Sequence, residues 1–243
     1  PVKVIDARQI YLETPEEVYL LSDALLNARD QIEISGRNVW ALDETAVRAH
    51  DAYSRVLVTA TGSAPNDGVV YVARSEIYYF RALLAAQGEV SITARSIGIF
   101  GTVSVEGTAR LDGSATVLSQ ALLKADEDII VRGEILSAGE VVLNAGLKNA
   151  DGSIRVVGSI VVSAEGKLAA GYQFTTSQPA VTADIRLNAT GQVRLLAYED
   201  TANDNLQLAG PIISQELITV RVVTGYSKVE RGFILRPVVH WVP

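Results

Sequence analysis

"ATGQVRLLA", residues 189–197, repeats a phrase already met in "AQGEVSITA" at 86–94 and in "NARDQIEIS" at 27–35. Each has a small residue, a polar turn, and then two apolar residues separated by one other. Written as Ala, three residues, apolar, one residue, apolar, the phrase fits Ala28/Ile32/Ile34, Ala52/Val56/Val58, Ala73/Ile77/Tyr79 and Ala86/Val90/Ile92. It returns at Ala125/Ile129/Val131, Ala150/Ile154/Val156, Ala164/Leu168/Ala170 and Ala189/Val193/Leu195. Asp6/Ile10/Leu12 and Val181/Ile185/Leu187 keep the apolar pair behind a different first residue. First residues at 6, 28, 52 and 73 lie 22, 24 and 21 apart, and the steps from 125 to 150 and from 164 to 189 are both 25. Self-similarity on that scale marks stacked repeats, each too small to bury its own apolar face.

Inside the phrase the period is two. Ile32-Glu-Ile34, Val90-Ser-Ile92 and Ile185-Arg-Leu187 alternate apolar with polar, as a strand does when one side is buried. Between them stand "AQGE", "ADED", "SAGE", "NADGS" and "SAEGK", whose Gly, Asp, Asn and Ser supply turn conformations that β-branched residues resist. "SDALLNARDQ" (22–31) and "YYFRALLAAQG" (78–88) can also be written as short helices, but each falls between strand phrases and fits the repeat at least as well. Sandwich, barrel and parallel stack are the all-β options. The period near 20–25 residues suits one turn of two or three strands. Asp-Gly pairs, the mark of tight hairpins, are few, at Asp67-Gly68, Asp112-Gly113 and Asp151-Gly152.

The sequence therefore predicts an all-β fold, a single-stranded parallel β-helix of about ten coils. Its core ladder is Ile32, Ile34, Val56, Val58, Ile77, Val90, Ile92, Ile129, Val131, Ile154, Val156, Ile185, Leu187, Val193 and Leu195. The pattern holds over 1–205. From 206 to 243 longer strands surround Gly225, and Pro237 and Pro243 break the rhythm; this stretch reads as a C-terminal β-hairpin or capping element, with an irregular further coil as the alternative.

Composition limits the partners. The chain has 243 residues, a net charge of −7 and singly scattered basic residues, so a nucleic-acid groove or an anionic membrane surface is disfavoured. No apolar run nears the ~20 residues of a membrane helix. Without cysteine there is neither disulfide nor thiolate chemistry, and a chain without methionine is read as a processed product or a piece of something longer.

Phrases such as "GEVSITA" (88–94), "GEVVLNAG" (139–146), "GSIVVSAEGKLAAG" (158–171) and "ADIRLNATGQVRLLA" (183–197) resemble the degenerate repeats of filamentous haemagglutinin-like exoproteins. The resemblance covers most of 1–200 and implies a long β-helix, exported to the cell surface or beyond, acting as adhesin, fibre or stalk. "GIFGTVSVEGTARLDG" (98–113) also resembles bactofilins, the cytoskeletal β-helix polymers.

Residues suited to chemistry are sparse. His50 and His240 are the only histidines and carry no motif, and no calcium nonapeptide or phosphate loop occurs. Neither catalytic residues nor a metal or cofactor site are expected. Carboxylate groups at Glu16-Glu17, Asp43-Glu44 and Asp126-Glu127-Asp128 would suit polysaccharide cleavage if they converged in a groove; without a basic companion at matching phase they read as solvated turns. Tyr78 and Phe80, flanking Tyr79, are the expected outward contact surface. The functional expectation is a non-catalytic stalk or self-assembling filament subunit, pairing end to end or continuing a longer parent chain, with a cell-surface or carbohydrate ligand in reach. A tailspike- or lyase-like polysaccharide protein on the same fold is the alternative.

Overall fold

A computed structural model describes residues 3–21, 23–73, 82–107, 110–112, 115–117, 119–163, 165–177, 183, 185–198, 212–214 and 217–223. Every regular element among them is a strand. The two stretches also writable as helix follow suit: Ala24–Gly36 is one long strand, and Leu83–Ala86 is another.

The strands form three ladders whose neighbours all run parallel. The first stacks residues 3–7 and 24–28, then Ala46–Ala49, Leu83–Ala86, Thr102–Val105, Glu134–Ser137 and Lys167–Ala169. The second stacks residues 9–13 and 31–36, then Arg55–Ala60, Glu89–Ala94, Gln120–Ala125, Glu140–Ala145, Ile185–Ala189 and Ile212–Ser214. The third runs Val18–Leu20, Val39–Ala41, Val69–Val72, Ser96–Ile99, Ile129–Val131, Ile160–Val162, Gln192–Tyr198 and Leu217–Val223. The chain visits first, second and third ladder in that order and then begins again. Lys3–Glu13 and Ala24–Gly36 turn from the first ladder into the second without leaving strand conformation.

Register explains the phrase. On the second ladder Ile32, Val56, Val90, Ala121, Val141 and Ile185 are successive partners, and so are Ile34, Val58, Ile92, Leu123, Leu143 and Leu187. On the third, Val39, Val70, Ile97, Ile129, Ile160 and Val193 stack, with Val72, Ile99, Val131 and Val162 beside them. These side chains are at most 2% exposed, and each Ile, Val or Leu among them contributes about 1.5–3 kcal/mol when fully removed from water. The leading alanine is a buried corner at Ala28, Ala86, Ala125 and Ala189, where a larger side chain would have to displace closely packed neighbours.

One expectation is corrected. Ile154 and Val156 are not ladder residues: their strand pairs antiparallel with Leu147–Lys148 in an excursion, and Ile154 is 39% exposed. The phrase repeats there, but its segment leaves the stack. Eight passes form among the described residues, and excursions lengthen some of them; Arg110–Asp112 with Ala115–Val117 is a second antiparallel example. Ile212–Ser214 and Leu217–Val223 each lie parallel to the strand one pass earlier, and the rest of 206–243 lies outside the described residues. Ile77, Tyr78 and Phe80 lie outside the described residues, as does the Leu195 side chain.

The excursion at 146–158 is bolted down. Thr190 Oγ1 accepts from Gly158 N and donates to Val156 O, each at 2.9 Å. Gly146 sits at φ +87, and a Cβ there would overlap that hydroxyl, so the tight exit from the ladder requires glycine.

Replacing Ile129 with Asp places an unpaired charge in the third ladder and is expected to cost more than about 4 kcal/mol. Ile154→Asp, in the excursion, is expected to stay within about 0.5 kcal/mol of the parent. Urea unfolding of the two variants checks the register; equal losses would contradict it.

Candidate functional site

The three ladders present different outer surfaces. On the second, Arg55 pairs with Glu89 at 2.9 Å and Arg186 pairs with Glu140, each bond joining adjacent passes. On the first, the outward positions Ala85, Ser104, Leu136 and Ala169 are at most 8% exposed, so both sides of those strands are buried and their small or apolar residues follow. The third carries an open aromatic run.

Tyr19, Trp40 and Tyr71 are register partners on three consecutive passes and point outward between buried neighbours. The Tyr19 and Trp40 rings lie 6.3 Å apart and within 9° of parallel; Trp40 and Tyr71 are 5.6 Å apart. Tyr19 and Trp40 are thus shingled rather than closed face to face, while the Tyr71 ring is tilted by 50° from Trp40. The next outward position is Gly98, where a Cβ would meet Tyr71 Cδ2 at 2.9 Å, so the missing side chain gives the Tyr71 ring its place. Phe100 continues the run at 4.8 Å from Tyr71, and Arg132 lies 5.2 Å over the Phe100 ring. Tyr19 is 53% exposed, and Trp40, Tyr71 and Phe100 are half-buried.

Linear proximity could not reveal this run, since Tyr19, Trp40 and Tyr71 are 21 and 31 residues apart. A signal existed in Val18-Tyr-Leu20, Val39-Trp-Ala41 and Val70-Tyr-Val72, three apolar–aromatic–apolar triplets. The repeat phrase, which begins with alanine, does not include them.

Beside the run lies the corner between the second and third ladders. The acidic groups there do have basic companions, contrary to expectation: Arg37 is 3.5 Å from Glu16 and 3.6 Å from Glu17, and Arg95 Nε donates to Glu127 at 2.7 Å. Buried Asn38 ties three passes together, donating to Glu17 at 3.1 Å and to Asp67 at 3.5 Å while accepting from Val69 N at 2.9 Å. Asp128 similarly accepts from Ser159 N at 2.8 Å. These contacts hold neighbouring passes together. Asp43-Glu44 stands apart, at the corner leading back to the first ladder, and His50 is exposed. Among the described residues no three His, Asp or Glu side chains are grouped to hold a metal ion.

Glu17 also accepts the Tyr19 hydroxyl. That bond, with the Asn38 amide second, holds the Glu17 carboxyl below the ordinary glutamate range, and the same bond pushes the Tyr19 phenol above the ordinary tyrosine range. For Glu17 the stabilising effect exists above its unfolded pKa and is lost as pH falls through the lower folded value. For Tyr19 it exists below the unfolded pKa and is lost as pH rises through the raised one. In an alkaline absorbance titration, Tyr19→Phe is expected to delete a late-ionising tyrosine, and Glu17→Gln to bring that step to lower pH. Gly98→Val should disturb the ring run directly, with an expected loss of about 1–3 kcal/mol and an altered near-ultraviolet circular dichroism spectrum.

No family model, curated protein or solved structure matches this chain.

Proposed function

We propose that the chain is a parallel β-helix with a mechanical role, a stiff, non-catalytic segment of a surface or extracellular fibre that serves as stalk or filament subunit. The observation that carries this reading is the unbroken parallel register over eight passes around an Ile, Val and Leu interior. Such a stack resists bending because each pass is hydrogen-bonded to the next along the ladders, and its stability accumulates from neighbour to neighbour. The corner carboxylates support the same reading, since Glu17, Glu127 and Asp128 are engaged in joining passes. The likeness of its phrases to haemagglutinin-type repeats supports a place outside the cell.

Stacking at the end suits the first pass. The edge of Lys3–Glu13 turned away from Ala24–Gly36 belongs to a strand that carries Val4, Ile5 and Tyr11 at 53%, 45% and 58% exposure. A further rung, from another copy or a longer parent chain, would cover apolar side chains and a strand edge that has no partner among the described residues.

Small-angle scattering tests the shape. Eight passes at the strand spacing of about 4.8 Å stack to about 40 Å per copy, so end-to-end assembly is expected to lengthen the particle in steps of that size as concentration rises, and a single-copy particle at every concentration would contradict the filament role. Incubation with polysaccharides is expected to release no reducing ends. Cleavage that disappears in Glu17→Gln would replace the mechanical reading with an enzymatic one.

A further inference from the structure

We infer that the outer face of the third ladder binds a neutral oligosaccharide, with the shingled rings of Tyr19 and Trp40 as its platform and Glu17 and Arg37 beside them as hydroxyl partners. Such binding is additional to the mechanical role and does not depend on it. The other two faces offer no equivalent among the described residues: on the first ladder the outward residues of the same three passes are Asp6, Asn27 and Arg48, and the second is crossed by ion pairs between passes.

The chemistry of the face selects the ligand. A pyranose presents apolar C–H groups on its faces and hydroxyls around its rim, so it needs aromatic surface and hydrogen-bonding groups side by side. Here the rings supply the first. The Glu17 carboxylate, kept ionised by Tyr19 and Asn38, supplies acceptors, and Arg37 supplies donors. Three rings on consecutive passes span about 10 Å at the ladder spacing of about 4.8 Å, room for a short run of sugar units lying along the stack.

The competing occupants fit less well. A peptide adding as a strand needs an unpaired edge, whereas Val39–Ala41 and Val69–Val72 are bonded on both sides. A sulfated or uronic chain would meet Glu16, Glu17 and Asp67 at the rim of a protein whose net charge is −7, and like charges at close quarters oppose binding.

The chain has two tryptophans, so Trp241→Phe leaves Trp40 as the only indole reporter. Its fluorescence is expected to change saturably with cellohexaose or chitohexaose below about 1 mM and to ignore heparin. Tyr19→Ser, at an exposed position on the first pass, is expected to weaken that response about fivefold or more with the thermal transition retained. Tyr53→Asn, an exposed aromatic off this face, should leave affinity unchanged. The proposed site is overturned if neither neutral oligosaccharide gives a saturable response, if heparin binds as tightly, or if Tyr53→Asn weakens binding as much as Tyr19→Ser. It is also overturned if the Trp40 signal follows protein concentration, which would mean that a second copy covers the face. The assembly read by scattering is independent of the binding result, so the mechanical reading is judged separately.

Discussion

Each pass of the chain must bring its apolar residues to the same inward positions as the pass before, and the rest of the structure depends on that agreement of phase. A shift by one residue would turn Ile and Val outward and bring polar side chains into a dry interior. The backbone bonds of the ladders do not enforce the choice by themselves, since a parallel strand can pair in any register. The side chains do. Val90 between Val56 and Ala121, or Ile129 between Ile97 and Ile160, fits only in one alignment.

That constraint also decides what the outer surface is allowed to be. With half of each strand committed to the interior, only the alternate positions are free to vary, and the three ladders have used them differently. One is sheathed from Leu83 onward, one is charged, and one is aromatic over its first passes. Polar side chains at the corners, Asn38, Asp128 and Thr190 among them, satisfy backbone N–H groups where a strand begins or an excursion returns. A corner without such partners would leave buried donors unpaired.

The ladders were legible because period two and a small corner residue are local properties. Ile32, Val56, Val90, Ile129, Ile185 and Val193 each announce their burial within a few residues of sequence. Whether a segment stays in the stack is not local. Ile154 sits in the same phrase as Ile129, yet the turn at Gly146 takes it out, and the phrase does not record that departure. Ala52 leads the phrase at 52–58 and is nevertheless an exposed turn residue, whereas Ala86 in the same role is buried. The aromatic run was hidden for the opposite reason. Its members are ordinary in their own surroundings, and only the unequal lengths of the passes place Tyr19, Trp40 and Tyr71 above one another.

The Thr190 bolt has an evolutionary consequence. Because the hydroxyl holds the return of the 146–158 excursion against the following pass, the residues between the exit at Gly146 and the return at Gly158 answer to no ladder. Their number and character are free to drift without disturbing the interior. A protein of this construction can acquire new surface loops as a bookcase acquires ornaments, and the same position would accept a grafted peptide or epitope without redesign of the core.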